Sequence, residues 1–172
     1  ITYFSGTVDH NDHVRLGGYP GAFRDLLGVR VEEFAPLLPG ERTRLAAPAD
    51  SPVPSLDGVE ARVWSERGRA EEGTQVLARF VDGPAAGDPA VTRRNVGVGA
   101  AWYVATRLPD DAMDALVAHL ADAARIGPIL QDRPTGVDVV RRLDDGTSWV
   151  FVIDHSGLGL EVTLQGHDLV TG

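Results

Sequence analysis

The part of the chain that most constrains its fold is residues 95–106, NVGVGAAWYVAT, in which glycines precede a nearly unbroken apolar run. Such a run is typical of a strand covered on both faces, so we expect residues 100–105 to form the core strand. Gly97 and Gly99 permit a tight turn that feeds this strand from a partner at residues 90–94. The LPDD sequence that follows favours the first turn of a helix, because proline and acidic residues suit that position.

The helix that starts there should bury one face against the sheet. Apolar side chains recur at helical spacing after residue 110, and Arg125 and Gly127 suit the end of the helix. A short helix is marginal alone, so burial of this stripe should stabilise it. The stripe consists of Met113, Leu116, Val117, Leu120 and Ala124.

Short strands and breaks are predicted before the core strand. One or two helical turns at residues 22–27 end at Gly28. Five prolines between residues 36 and 54 predict an exposed loop without regular structure. Strands are expected at residues 1–5, 29–34, 59–64 and 74–81.

A second domain is predicted after a linker at residues 127–134, which two prolines bracket. Four strands separated by glycine turns suggest a small antiparallel β-sandwich. The residues alone therefore indicate an α/β unit that lacks its beginning, followed by a β appendage. The four strands are expected at residues 137–140, 149–153, 158–164 and 169–170.

Composition excludes several classes of function. The 172 residues are 43% apolar, which is enough for a core. No cysteine is present, so a disulfide scaffold, a thiolate metal site and a cysteine nucleophile are excluded, and a reducing compartment such as the cytoplasm is compatible. All sixteen basic residues are arginine against twenty-five acids, and the net charge of -9 argues against nucleic acid or an anionic membrane as partner. The chain begins with Ile1 and not methionine, so we expect the true amino terminus to lie upstream.

The most ligand-rich segment is Asp9, His10, Asn11, Asp12 and His13. Asp9 and His13 would share a face if the segment were helical, and their side chains are metal ligands. The segment reads as a loop, however, and no distant third ligand is evident. A hydrogen-bonded turn or an interface loop is the preferred interpretation.

Two segments contain the residue types of a nucleophilic site. Ser5 and Gly6 follow a predicted strand, but the glycines of a nucleophile elbow are absent. Asp154, His155 and Ser156 are consecutive, and consecutive strand residues point to opposite faces, so they cannot form a triad among themselves. We interpret them as a strand end that enters a turn.

Other candidates also favour structural roles. A phosphate loop must lead into a helix, whereas the Gly97 and Gly99 pair leads into a strand. Trp64, Trp102 and Trp149 could stack on sugars, but each lies in an apolar strand pattern that favours core packing. No pair of acids has a spacing that indicates general acid and base catalysis. No catalytic, cofactor-binding or metal-binding residue is therefore predicted.

An ordered series of segments resembles the second half of the middle domain of family-42 glycoside hydrolases, which are bacterial β-galactosidases. The series is ITYFSGTVDHNDHV at residues 1–14, LGGYPGAFRDLLGVRVEEF at residues 16–34 and GAAWYVATRL at residues 99–108. VDVVRR, VFVIDHS and DLVTG, all beyond residue 136, resemble the small carboxy-terminal β-domain of that family. His10 and Asp154 depart from the family pattern, which often has an acid and usually an asparagine at these positions.

The resemblance implies that residues 1–127 are the second half of a trimerisation domain similar to class I glutamine amidotransferases, with a flavodoxin-like fold. Residues 134–172 would be the carboxy-terminal β-domain. The parent would hydrolyse terminal β-galactosides with two glutamates about 5 Å apart on a separate (β/α)-barrel, and no position here matches them. The implied partners are that barrel and further copies of the chain, a trimer in the parent, without a cofactor. The alternative is a stand-alone amidotransferase-like sugar-binding or adaptor module.

Overall fold

The computed structural model describes residues 1–159 and 161–170, which form two compact units. The first unit is Ile1–Arg125 and the second begins at Ile126. Each unit is built mainly from antiparallel strands. The strands are β1 (Val29–Pro36), β2 (Thr43–Ala46), β3 (Glu60–Ala61), β4 (Trp64–Ala70), β5 (Thr74–Phe80), β6 (Pro89–Val96), β7 (Gly99–Val104), β8 (Val137–Asp144) and β9 (Thr147–Asp154), and the helices are α1 (Arg24–Leu27) and α2 (Asp110–Ala123).

The first unit contains a five-stranded antiparallel sheet in the order β3-β2-β5-β6-β7, and a separate antiparallel pair of β1 and β4. Adjacent residues of β7 point to opposite faces of the sheet. The Tyr103 side chain contacts Glu66 of β4, and the neighbouring Trp102 ring contacts His119 of α2. The five-stranded sheet therefore lies between the β1–β4 pair and α2.

The core of the first unit fills the two faces of this sheet. Its members are apolar side chains with at most a few per cent of their surface exposed, and burying each valine, leucine or phenylalanine among them stabilises the fold by roughly 1.5–3 kcal/mol. Both β5 and β6 contribute several of them, as expected for interior strands. The largest are Tyr103, Phe80, Leu27, Leu45, Leu56, Leu77, Leu108 and Leu116.

Several predicted elements are confirmed. Residues 89–104 form the predicted hairpin of β6 and β7 around Gly97 and Val98, and α2 buries Leu116 of the predicted stripe. Gly28 ends α1 at a φ of 60°, and a Cβ there would lie 2.1 Å from Thr74 Oγ1. Glycine is therefore required at that position. No helix in the described ranges is both long and apolar enough to cross a membrane.

The position predicted for β7 is wrong. It is the outer strand of the five-stranded sheet, and Ala100 is exposed, although Tyr103 and Val104 are buried. Residues 1–5 do not form the predicted strand either, because a single parallel bridge at Thr2 contacts β7 before the chain turns. An apolar run indicates a strand, but its neighbours depend on the tertiary fold.

The loop predicted between residues 36 and 54 is also corrected. It contains β2, an interior strand whose Thr43 and Leu45 are each 1% exposed. The predicted strand at residues 59–64 is two strands, because Val63 has a φ of 72° and separates β3 from β4. β4 extends through a charged sequence, WSERGRA, which no apolar pattern predicts.

Among its described residues, the second unit contains one hairpin of β8 and β9, which is paired over eight residue pairs and turns at Asp145 and Gly146. The described residues 158–159, 161–164 and 169–170 do not form the two predicted strands. Residue 160, which belongs to the first of these predictions, lies outside the described residues. The predicted β-sandwich therefore appears as one hairpin within the described residues.

Candidate functional site

The segment richest in potential ligands forms a capped turn. The Asp9 carboxylate accepts hydrogen bonds from the backbone N–H groups of Asn11 and His13, at 2.8 and 3.0 Å. Val8 and Val14 pair across its base, and His13 Nδ1 lies 3.8 Å from Asp9 Oδ2. No cluster of three or more histidine and acidic metal ligands occurs in the part of the chain that the structure describes. Asp9 thus orders the loop by satisfying backbone donors.

The residues of nucleophilic type do not assemble a site. Asp154 accepts hydrogen bonds from the Ser156 hydroxyl and backbone N–H at 2.5 and 2.8 Å, and these bonds lower the pKa of Asp154. The His155 ring turns away from them, because its Nε2 lies 3.1 Å from Asp138 Oδ2 on β8. Ser5 lies in a turn and hydrogen-bonds to no histidine or carboxylate of the described residues. The strand-end interpretation of residues 154–156 is confirmed.

The three tryptophans lie in three different surroundings. Trp64 is 9% exposed and belongs to the core, as predicted. Trp102 is partly buried, with the Arg93 guanidinium 5.8 Å from its ring centre. Within the part of the chain that the structure describes, Trp149 is 42% exposed. The prediction of core packing is therefore wrong for this residue.

A buried carboxyl group lies at the centre of the first unit. Glu66 of β4 is 1% exposed, its Oε1 accepts a hydrogen bond from Trp64 Nε1 at 3.0 Å, and its Oε2 accepts one from the Tyr103 hydroxyl at 2.6 Å. Burial raises the pKa of Glu66, and the two hydrogen bonds oppose that rise. Burial and the neighbouring Glu66 also raise the pKa of Tyr103. Glu66 therefore connects the β1–β4 pair to the five-stranded sheet.

Two buried hydroxyl groups lie beside this connection, one within the β1–β4 pair and one between β4 and the residues that follow β7. The Ser65 hydroxyl donates to the Ala35 carbonyl at 2.7 Å, and the Thr106 hydroxyl donates to the Trp64 carbonyl at 2.5 Å. Both hydroxyls are fully buried, and each satisfies a backbone acceptor of β1 or β4. Sequence reasoning missed this cluster because it ended the strand at Trp64. Extending the strand by two residues would have placed Glu66 on the same face as Trp64.

Aromatic rings cover the Trp64 side of the cluster. The Phe4 ring centre lies 4.3 Å from that of Trp64 and 5.4 Å from that of Phe34, and Phe34 stacks on Tyr19 at 4.5 Å. Phe4 and Val63 both have positive φ, 64° and 72°, a conformation that is strained for side chains of this size. Phe4 is 56% exposed, so the cluster reaches the surface.

An apolar groove follows the outer edge of β7. It has a volume of about 520 Å³, and its walls come from β7, the end of β6, α1 and α2. The groove carries no acidic or basic side chain, so it fits an apolar occupant better than a charged one. Its lining residues are Ile1, Leu26, Val96, Gly99, Ala100, Ala101, Trp102 and Leu120.

Comparison with known proteins establishes the relationship. Residues 1–127 match the family model described as the β-galactosidase trimerisation domain. The chain belongs to this family. The resemblance seen in the sequence is therefore confirmed.

Relatives of this trimerisation domain are β-galactosidases. A β-galactosidase from Arthrobacter sp is 42% identical over all of this chain and 23% of the relative, and LacZ from Heyndrickxia coagulans is 37% identical over 90% of this chain and 22% of the relative. The chain thus spans less than a quarter of their length.

Solved structures agree with the sequence relationship. The crystal structure of a β-galactosidase from Bacillus circulans sp. alkalophilus superposes with a TM-score of 0.74 at 36% identity, over 90% of this chain and 22% of that one. A catalytic mutant of a GH42 β-galactosidase from G. stearothermophilus gives a TM-score of 0.70 at 26% identity, with the same coverage. The described fold is therefore shared with β-galactosidases.

Proposed function

We propose that this chain is the assembly segment of a longer β-galactosidase and is catalytically inert by itself. The observation that carries the proposal is the match of residues 1–127 to the trimerisation-domain model. The coverage of only 22–23% of the relatives' length leaves ample chain for a separate catalytic domain. The longer protein would hydrolyse terminal β-galactosides, and this segment would join copies into a trimer.

The chemistry of the described residues supports a non-catalytic role. Retaining glycosidases need two carboxyl groups about 5 Å apart at the scissile bond. Glu66 is the buried acid among the described residues, and both of its oxygens already accept hydrogen bonds from Trp64 and Tyr103. It holds two sheets together and faces no open cleft. We therefore assign catalysis to glutamates of a (β/α)-barrel elsewhere in the longer protein.

The finer architecture belongs to the same proposal. Residues 1–127 would complete an amidotransferase-like, flavodoxin-like domain together with upstream chain, and residues 134–172 would belong to a small β-domain. Residues 1–127 would build the trimer, and both segments would support the barrel. The protein would act in the cytoplasm, without a cofactor and without nucleic acid or membrane as partner.

Truncation of the longer enzyme tests the assembly role. Because the trimerisation model covers residues 1–127 and not the remainder, removal of the first segment should convert a trimer to a monomer in light scattering. The matched control removes only the segment equivalent to residues 134–172. The molar mass measured for this variant should still be that of a trimer. A trimer that survives the first truncation would contradict the proposal.

An activity assay tests the second part. The purified 172-residue chain should not hydrolyse a chromogenic galactoside, whereas the longer enzyme should. Hydrolysis by the chain alone that disappears in the Glu66→Gln variant would overturn the assignment. The control is Glu33→Gln, which changes an exposed acid on β1.

A further inference from the structure

The outer edge of β7 already carries the start of a parallel ladder. The Val104 N–H donates to the Ile1 carbonyl at 3.1 Å, and the Tyr3 N–H donates to the Val104 carbonyl at 3.0 Å. Thr2 and Val104 are therefore a parallel pair. The Ile1 nitrogen continues the ladder, since it donates to the Trp102 carbonyl at 3.1 Å.

Alternation along β7 identifies which backbone groups remain open. The Ala105 N–H points towards β6, where it donates to the Ala90 carbonyl at 2.8 Å, whereas the Val104 N–H points away from β6. Successive N–H groups of a strand point in opposite directions. The N–H groups of Ala100 and Trp102 therefore point outward, and no acceptor in the described residues binds them. An open strand edge of this kind is a template for a further strand.

The side chains at this edge match the open backbone. The groove beside β7 is lined by apolar groups and small residues, which allow close approach of another backbone. Ile1 and Val96 at its rim are 42% and 40% exposed, so apolar surface is left uncovered along the same edge. Hydrogen-bonding groups and apolar walls are together what an added β-strand requires.

Resting on the proposed function, in which this chain is part of a longer β-galactosidase, we propose that the open edge of β7 receives a parallel strand formed by the residues that precede Ile1 in the longer polypeptide. The existing ladder sets the direction of that strand, and the Ile1 nitrogen already holds its register. The first residue before Ile1 pairs with Trp102, and the third residue before it pairs with Ala100. β7 then becomes an interior strand, and the five-stranded antiparallel sheet becomes a mixed sheet.

A second copy of the chain fits this edge less well. Residues 1–3 already occupy the Val104 end, so a second β7 could reach only the short stretch from Gly99 to Trp102. The upstream residues of the same polypeptide need no reorientation, because they leave Ile1 along the ladder. Relatives that are more than four times longer than this chain have chain to supply such a strand.

Amide hydrogen exchange, followed by NMR, tests the proposal on the 172-residue chain and on a polypeptide extended upstream. The exchange rates of the Ala100 and Trp102 amides should be lower by about tenfold or more in the extended protein than in the shorter chain. The Ala101 and Tyr103 amides face β6 and are the controls, since their protection should be similar in both. This measurement reads a backbone hydrogen bond whether or not copies assemble, so it is independent of the proposed trimer.

Proline substitutions give a second measurement. Ala100→Pro removes an outward N–H, so it should lower the Tm of the extended protein but leave that of the 172-residue chain nearly unchanged. Ala101→Pro removes an N–H that faces β6 and should lower the Tm of both. Fast exchange at Ala100 and Trp102 in the extended protein would overturn the proposal. Protection that appears in the shorter chain only at high protein concentration would instead identify a second copy as the occupant.

Discussion

The hairpins β6–β7 and β8–β9 are built in nearly the same way but lie in different surroundings. Each has a two-residue turn that contains a glycine at positive φ, 56° at Gly97 and 79° at Gly146. In both, the first strand contains two consecutive arginines, the second carries an apolar run, and the antiparallel register is regular. In the first hairpin, Val91 and Tyr103 are 0% and 2% exposed, whereas in the second Phe151 is 52% exposed.

The difference shows what a local pattern determines. Apolar strands around a glycine turn produce a hairpin and fix its register. Cover on the faces depends on other elements, which α2 and the β1–β4 pair supply to the first hairpin. The second hairpin has apolar side chains on both faces and, apart from Val137, none of them is fully buried in the described residues.

The largest expected effect compares two phenylalanines. Phe80 lies on β5 beside β6 and is 1% exposed, so Phe80→Ala should lower the free energy of unfolding of the first unit by about 3–5 kcal/mol through the cavity it leaves. Phe151→Ala, at an exposed site, should change the stability of the second unit by less than about 1 kcal/mol. Urea unfolding measures both. Equal losses would show that β9 is covered as well as β5 is.

The buried polar connection gives the next effect. Glu66→Ala leaves the Trp64 N–H and the Tyr103 hydroxyl without their acceptor, which should cost about 1–3 kcal/mol. Glu66→Gln keeps a carbonyl oxygen and should cost less. Glu33→Ala on the exposed surface should change the free energy of unfolding by about 0.5 kcal/mol or less. If Glu66→Ala were as mild as the control, the carboxyl group would not stabilise the sheet contact.

The same residue predicts a pH dependence. Because burial raises the pKa of Glu66 above its ordinary value of 4.5, the folded chain keeps a proton that the unfolded chain has released. The contribution of Glu66 to stability is thus fully present at pH values below the ordinary pKa of 4.5, and it is lost as the pH rises through the raised pKa of the folded chain. Asp82 acts in the opposite sense, since bonds from Arg44 lower its pKa.

Unfolding of the wild type and of Glu66→Gln from about pH 4 to about pH 8 separates the two terms. Both proteins keep Asp82, so its effect cancels in the difference between them. The advantage of the wild type over the variant should shrink as pH rises. A difference that stays constant with pH would contradict a raised pKa for Glu66.

The smallest effect returns to the two turns. Gly97 and Gly146 have positive φ, and a Cβ at either position would meet nothing within 4 Å. Alanine should therefore cost only the backbone preference, about 1 kcal/mol. Gly97→Ala should destabilise the first unit, whereas Gly146→Ala should change hydrogen exchange in β8 and β9 alone. Loss of protection in β6 on Gly146→Ala would show that the two units unfold together.

Features specified over a few neighbouring residues were predictable from the sequence. The turn at Gly97, the end of α1 at Gly28 and the stripe of α2 follow from backbone freedom and helical spacing. The turn predicted at residues 9–13 is also confirmed, because Asp9 accepts hydrogen bonds from the backbone N–H groups of Asn11 and His13, two and four residues further along the chain.

Features that depend on distant partners were not predictable. Thr43 and Leu45 alternate too briefly between prolines to indicate β2, which is a strand because β3 and β5 pair with it. From the sequence alone, Glu66 has the pattern of a surface acid. It is buried because it accepts a hydrogen bond from the hydroxyl of Tyr103, which is 37 residues away in the sequence. The edge position of β7 likewise depends on which strands pair with it.

The three tryptophans lie in different surroundings and therefore serve as intrinsic fluorescent probes of three parts of the molecule. Trp64 lies in the interior beside the Glu66 carboxyl group, Trp102 lines the groove at the edge of the sheet, and Trp149 lies on β9 of the second unit. Variants that each retain a single indole would give emission spectra specific to these three places. Changes in tryptophan fluorescence would then report three events separately, without an added dye. They are the pairing of a further strand with β7, the local unfolding of the β8–β9 hairpin and the ionisation of Glu66.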